Sequence, residues 1–242
     1  MKGVILSAGM GSRFGSYTKK EHKLLLTVGA SPIIDHTLRA FSQAGIVNVM
    51  LVTGFMSSRI NDWVGDGSQY GLKIETIFNK NYKSGNALSV QMAQSFVDGK
   101  DFILAMGDHM ASSDLISHVI KFGADYQGNV LGVDFNLTSH NVQDATRVLA
   151  EDKEKISSIG KHIKFWNGVD SGVFRFNSEI YEAINQWVNY DKSGRYELGD
   201  MLAYFINQGG LLKSCDISGQ FWCDIDNPDD LERLQKRFVQ PD

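Results

Sequence analysis

The chain is poor in cross-linking residues: Cys215 and Cys223 are its two cysteines in 242 residues, with no metal-ligand spacing around them. That excludes a disulfide scaffold and a cysteine-built zinc site, and it is the usage expected of a reducing cytoplasm. Three prolines leave no Pro-rich linker. No run of about 18 apolar residues occurs, so no membrane span is expected in this chain. A signal-peptide pattern is missing too, because glycine, serine and arginine follow the N-terminal apolar run within a few residues. An excess of positive charge is also absent: 24 Lys and Arg face 28 Asp and Glu, net −4. A broad basic face for nucleic acid is thereby excluded. Any phosphate chemistry must come from a few placed cations. There is no internal repeat and no low-complexity stretch.

What the chain has is apolar mass in a regular rhythm. Hydrophobic residues make up 43%, enough for a sizeable core in one large domain or two small ones. Apolar strands are predicted at 3–8, 48–53, 73–78, 102–106 and 130–133. Helical patterns fall between them, at 31–44, 57–66, 86–96 and 113–122. Alternation of this kind predicts a parallel sheet covered on both faces. After residue 140 the rhythm changes. A hairpin is predicted over 146–159, a strand at 172–176, helices at 178–189 and 196–207, and a strand at 211–217. A last helix starts at Asn227-Pro228-Asp229-Asp230, with Asn as N-cap, Pro in the first turn and two acids at the positive helix end. The Phe165-Trp166 pair and the apolar stripe at 202–206 read as core.

The first strand runs into a glycine-rich loop, Gly9-Met10-Gly11-Ser12-Arg13-Phe14-Gly15. A dinucleotide fingerprint needs G-x-G-x-x-G entering a helix; here the third glycine is one position late and no apolar helical stripe follows. No acid stands at the end of the second strand, where Thr53-Gly54 is found. The P-loop pattern is absent. Instead Arg13 and Lys23 bracket the loop. Backbone N–H groups around Gly9 and Gly11 can surround phosphate oxygens, while an arginine fork and a lysine point charge neutralise them.

Two acidic sites join this loop. Phe102 to Met106 is an apolar strand that ends in Gly107-Asp108-His109, and open sheets bind ligands beyond the carboxyl ends of their strands. Near the C-terminus, Asp224 and Asp226 stand at i, i+2 before a helix, so an extended 222–226 would turn both to one side. Carboxylates suit Mg²⁺, which takes one or two of them besides phosphates and waters. Asp108 and Asp224 are the expected ligands, with Asp226 in support.

LSAGMGSRFG followed by HKLL resembles the signature of the nucleotidyltransferases that activate sugar phosphates and phospho-alcohols, roughly L-A-A-G-x-G-[ST]-R with a downstream Pro-Lys. Ser7 replaces an alanine, and His22 stands where proline is usual. The resemblance covers nearly the whole chain. The pieces MGDHM, DATRVL, ISSIGK, VDSGVF and FWCDIDNPDDL are most similar to the CTP:inositol-1-phosphate cytidylyltransferases, in several of which the domain is fused to a membrane synthase. The segment 23–86 also resembles phosphocholine and phosphonate cytidylyltransferases.

The resemblance implies an α/β, Rossmann-like (GT-A-like) nucleotidyltransferase fold, with a mixed, mostly parallel sheet and helices on both faces. It implies one domain over 1–242, with a nucleotide-binding half to about 135 and an acceptor-binding half beyond. CTP and a small phosphorylated alcohol would be the partners, Mg²⁺ the cofactor, and a cytoplasmic stand-alone transferase or an excised domain the setting, with a homodimer among the assemblies open to it. Nucleotide contacts would come from Leu6, Ala8, Gly9, Gly11, Ser12, Arg13, Lys23, Asn79, Gly85, Asn86 and Asp108, with the asparagines reading a base edge. Acceptor contacts would come from His109, Asp144, Thr146, Lys161, Asp170 and Glu197. Arg13, Lys23 and Lys161 are the candidate catalytic cations, and Asp108, Asp224 and Asp226 the candidate metal site. Three alternatives stay open. One is another acceptor: a sugar 1-phosphate, 2-aminoethylphosphonate, or phosphocholine with an aromatic cage built from Phe165, Trp166, Trp187 and Tyr190. Another is a catalytically silent, nucleotide-binding regulatory protein. The last, an NAD-binding oxidoreductase, is disfavoured by the misplaced glycine.

Overall fold

The computed structural model describes residues 1–126, 128–136 and 145–239. The strands, in chain order, are β1 (Lys2–Ser7), β2 (Thr27–Val28), β3 (Ser31–Pro32), β4 (Asn48–Thr53), β5 (Lys73–Phe78), β6 (Phe102–Met106), β7 (His109–Ala111), β8 (Asn129–Asp134), β9 (Arg147–Glu151), β10 (Lys155–Gly160), β11 (Gly168–Phe176), β12 (Leu212–Asp216) and β13 (Trp222–Asp224). The helices are α1 (Ile33–Gln43), α2 (Ser57–Val64), α3 (Ala87–Met92), α4 (Gln94–Val97), α5 (Ser113–Tyr126), α6 (Glu179–Tyr190), α7 (Leu198–Asn207) and α8 (Pro228–Val239).

One nine-stranded sheet runs through both halves, in the order β5-β4-β1-β6-β11-β8-β12-β10-β9. β5, β4, β1, β6, β8, β12 and β9 point one way; β11 and β10 run against them. The fold is the Rossmann-like α/β arrangement expected of the sequence.

Period-two alternation sorts the strand residues onto two apolar layers. Ile5, Val49, Leu51 and Ile103 face α1, α2 and α5. Val4, Leu6, Val52 and Leu104 face α3, α4, α6 and α7. Strands buried on both faces read as unbroken apolar runs, which is why β1, β4 and β6 are plain in the sequence. Each such side chain contributes roughly 1.5–3 kcal/mol on burial.

Several boundaries differ from expectation. The predicted helix over 86–96 breaks at Ala93 into α3 and α4. The predicted strand at 172–176 begins at Gly168; its polar first residues, Asp170 and Ser171, sit where the register with β8 shifts. β13 stops at Asp224, so the extended stretch does not reach Asp226. Phe165 is not core: it is 79% exposed.

Candidate active site

The carboxyl ends of β1 and β6 lie side by side, Leu6 opposite Met106. Asp108 therefore emerges beside the glycine-rich loop. That loop is wound into short 3-10 turns at Ser12–Phe14, Tyr17–Lys19 and Lys23–Leu25. Gly11 has φ +57°, and a Cβ there would lie 2.9 Å from Lys23 Cβ, so glycine is required for the loop to close over the lysine. Gly9 differs: a Cβ there would meet nothing within 4 Å. Leu6, Gly9, Gly11, Lys23 and Asp108 all line a small pocket of about 40 Å³ at this loop.

Lys23 is the buried cation of the site, its side chain 6% exposed. Its Nζ lies 2.7 Å from Asp108 Oδ2 and 3.7 Å from Asp226 Oδ1. Burial works against its charge, but the carboxylates of Asp108, Asp224 and Asp226 outweigh that cost and raise its pKa. Burial likewise pushes Asp108 up, while the charges on Lys23 and His109 pull it down to about 2. His22 caps the turn below, its Nδ1 accepting the Leu24 N–H at 3.1 Å. Burial lowers its pKa to about 4.

The second acid arrives on a short antiparallel ribbon. β7 pairs with β13 so that His109 lies directly opposite Asp224, and Ile225 N–H donates to the Asp108 carbonyl at 3.2 Å. His109 Nδ1 lies 2.8 Å from the Ser171 carbonyl. A carbonyl can only accept, so Nδ1 carries a proton and Nε2 faces Asp224 Oδ1 at 3.4 Å. Burial lowers the His109 pKa; Asp224, Asp108 and Asp170 more than restore it, and the net shift is upward. Burial, with Asp108 and Asp226 adding repulsion, lifts Asp224 to about 6.

The donor set of this ribbon was tested against a divalent cation. Ligand atoms of Asp108, His109 and Asp224 lie within 4.8 Å of one another. Asp224 Oδ1 is buried and accepts no hydrogen bond. Two carboxylates, one with an oxygen that accepts no hydrogen bond, fit Mg²⁺; the imidazole does not favour it. The expected support from Asp226 is not what the structure gives: Asp226 is the ion-pair partner of Arg13. Asp230 holds it there. Asp230 Oδ2 accepts the N–H groups of Asp226 and Asn227 at 3.0 and 3.2 Å, and Asn227 Oδ1 accepts those of Asp229 and Asp230 at 2.9 and 3.1 Å. This reciprocal capping box starts α8.

Beyond the ribbon opens a cavity of about 510 Å³. Of the expected residues, Asn86, Asp108, His109, Thr146, Lys161, Asp170, Glu197, Asp224 and Asp226 line it. Burial pushes Asp170 up to about 6, against the Gly172 N–H and the charges of His109 and Lys161. Sequence reasoning missed His162, Asp200 and Arg233 on the wall; only their adjacency to Lys161, to Leu198-Gly199 and to the α8 capping segment could have flagged them.

Other expectations fall elsewhere. Arg13 is 47% exposed at the edge, reaching the site through Asp226. Ser12 is exposed, and the Ala8 carbonyl accepts the Phe55 N–H at 3.1 Å. Asn79 does not read a base: it is 2% exposed, its Nδ2 donates to Ser89 Oγ and its Oδ1 accepts the Asn81 N–H. Asn86 does not cap its own helix; its Oδ1 accepts the Leu198 N–H. Gly85 is buried against Tyr196. Asp144 lies outside the described residues. No aromatic cage forms from Phe165, Trp166, Trp187 and Tyr190, none of which lines the cavity; among the described residues its one aromatic six-carbon-ring lining is Trp222, stacked on His109.

The model of the family described as nucleotidyl transferase matches residues 2–240. A bifunctional IPC transferase and DIPP synthase of Thermococcus kodakarensis is 28% identical over 240 residues, 99% of this chain and 51% of that protein. A glucose-1-phosphate thymidylyltransferase of Streptomyces griseus is 28% identical over 245 residues, covering 99% of this chain and 66% of that protein. The solved structure of the inositol-1-phosphate CTP transferase from T. maritima superposes with a TM-score of 0.84 at 21% identity, over 99% of this chain and 96% of that one. The chain spans about half the length of the bifunctional relatives it matches.

Proposed function

The chain belongs to the nucleotidyl transferase family, and from that premise we propose that it transfers a cytidylyl group from CTP to inositol 1-phosphate. An acceptor phosphate oxygen attacks the α-phosphorus in line. One P–O bond forms, the bond to the β-phosphate oxygen breaks, and pyrophosphate leaves with the electron pair. No residue becomes covalently modified; catalysis is positioning and charge neutralisation.

The observation that carries this reading is that Lys23 pairs with Asp108 in the small pocket at the glycine-rich loop, while Asp108 and Asp224 line the larger cavity. Gly9, which the fold itself does not crowd, leaves its backbone open to phosphate oxygens. Arg13 would neutralise the departing pyrophosphate, and Lys23 the α-phosphate. Lys161 would hold the acceptor phosphate. Asp108 and Asp224 would hold Mg²⁺, which when bound supplies positive charge to the phosphate oxygens. Residues to about 135 would bind nucleotide and those beyond would bind acceptor.

The acceptor assignment rests on the cavity wall and on the likeness to the bifunctional IPC transferases. Asp170, Glu197 and Asp200 offer hydrogen-bond acceptors to a ring of hydroxyls. The absence of an aromatic cage among the described residues argues against phosphocholine. An acid-rich wall also suits a primary amine, so 2-aminoethylphosphonate is the second reading. Pyrophosphate release from CTP with Mg²⁺, across inositol 1-phosphate, 2-aminoethylphosphonate, phosphocholine and glucose 1-phosphate, tests the choice, with UTP and ATP as alternatives. Release with CTP and inositol 1-phosphate is expected to lead by at least about tenfold. Faster release with another pair would reassign the acceptor or the base.

A further inference from the structure

The loop that opens α3 and the segment that opens α7 meet although 112 residues separate Asn86 from Leu198. Tyr196 donates its N–H to the Ser84 carbonyl at 2.6 Å and accepts the Ala87 N–H at 3.0 Å. Gly85 lies between them with φ +113°. A Cβ there would sit 2.2 Å from the Tyr196 carbonyl oxygen, so the two backbones can approach only across a glycine.

Asn86 completes this clasp. Its Oδ1 accepts the Leu198 N–H at 2.6 Å. Leu198 is the first residue of α7, and its N–H is one of the donors a helix cannot satisfy from within. Glu197, the residue that leads into α7, makes no side-chain cap of its own. Its side chain is thus left for the cavity it lines, while the bond one residue on fixes its backbone. Among the described residues, the Asn86 amide nitrogen has only a weak partner, the Met106 sulfur at 4.0 Å.

We propose that Asn86 is a positioning residue for the acceptor: it caps α7 from the opposite half of the molecule and thereby sets where Glu197 meets an acceptor hydroxyl. The inference rests on the cytidylyltransferase reading above. It replaces a base-reading role for this asparagine with a role on the other substrate.

The test is steady-state kinetics of Asn86→Ala, Asn86→Asp, Glu197→Ala and the double variant N86A/E197A, with CTP and inositol 1-phosphate each varied in turn. N86A is expected to raise the acceptor KM about tenfold and to leave the CTP KM within about twofold. N86D keeps the accepting oxygen and adds a charge that suits a helix N-terminus, so it is expected to restore the acceptor KM. The double variant is expected to be no worse than E197A, because Asn86 acts through Glu197. A rise in the CTP KM in N86D, which loses the amide donor but keeps the capping oxygen, would overturn the inference in favour of base reading. That arm decides even if N86A does not fold. Multiplying effects in the double variant, or an E197A with unchanged acceptor KM, would also overturn it. Those failures leave wild-type turnover intact, whereas a wild type that turns over no acceptor removes the parent reading and this one together.

Discussion

Lys23 shows most directly how one residue constrains the chemistry. It is buried, and Asp108 is its nearest counter-ion. Removing that partner leaves a desolvated ammonium with Asp226, 3.7 Å away, and the more distant charge of Asp224. D108N is therefore expected to cost about 3 kcal/mol in urea unfolding, and to lower kcat by at least about a hundredfold. An unfolding midpoint and a kcat both near wild type would remove Asp108 from the account. His22 gives a pH signature of the fold. Burial holds it near 4, against 6.5 for the free group. Between those values the unfolded chain binds the extra proton, so stability rises with pH across the window and is lost as pH falls below about 6.5. From pH 7 to pH 5 the wild type should lose about 2 kcal/mol relative to H22N, which keeps an acceptor for the Leu24 N–H. A constant gap between the two would show that His22 is not held neutral.

The two glycines of contrasting surroundings extend the argument. Gly85 is crowded by backbone and Gly9 by nothing. G85A is expected to destabilise the protein by several kcal/mol in thermal unfolding. G9A should unfold as wild type does and raise the CTP KM. An equal loss of stability in both would contradict the distinction.

At the scale of elements, the site is assembled by pieces too short for sequence patterns. β1 and β6 were legible because continuous apolar runs mark strands buried on both faces. The acids beyond them were legible because ligands gather at strand ends. β7 and β13, three residues each, carry no period that a sequence reveals, yet their register sets His109 against Asp224. The pairing of Lys23 with Asp108 was equally hidden, since 85 residues separate them. The helix start at Asn227 was visible as a capping pattern, but its second task, fixing Asp226 through Asp230, was not. D230A should therefore destabilise α8 by about 1–2 kcal/mol in urea unfolding and also change the CTP KM, because Asp226, the partner of Arg13, is no longer held in place. Loss of stability without any change in CTP KM would separate Asp226 from nucleotide binding.

At the scale of the molecule, one continuous sheet carries the glycine-rich loop at β1 and the cavity wall around β10 and β11. No helix among the described residues is long and apolar enough to cross a membrane. The site's cations and acids neutralise one another: Arg13 with Asp226, Lys23 with Asp108. Phosphates must take the cations from those acids, and a divalent cation must take the acids from those cations. CTP with Mg²⁺ together should raise the melting temperature by more than the sum of each alone. A simple sum would mean that the pairs do not exchange.

Cytidylyl transfer itself is visible by ³¹P NMR of one reaction. With CTP, inositol 1-phosphate and Mg²⁺, the account predicts that the triphosphate and monophosphate signals fall together. Two coupled diphosphate-diester resonances should replace them, with one equivalent of pyrophosphate. Unchanged starting signals, or CDP and inorganic phosphate beside untouched inositol 1-phosphate, would contradict it.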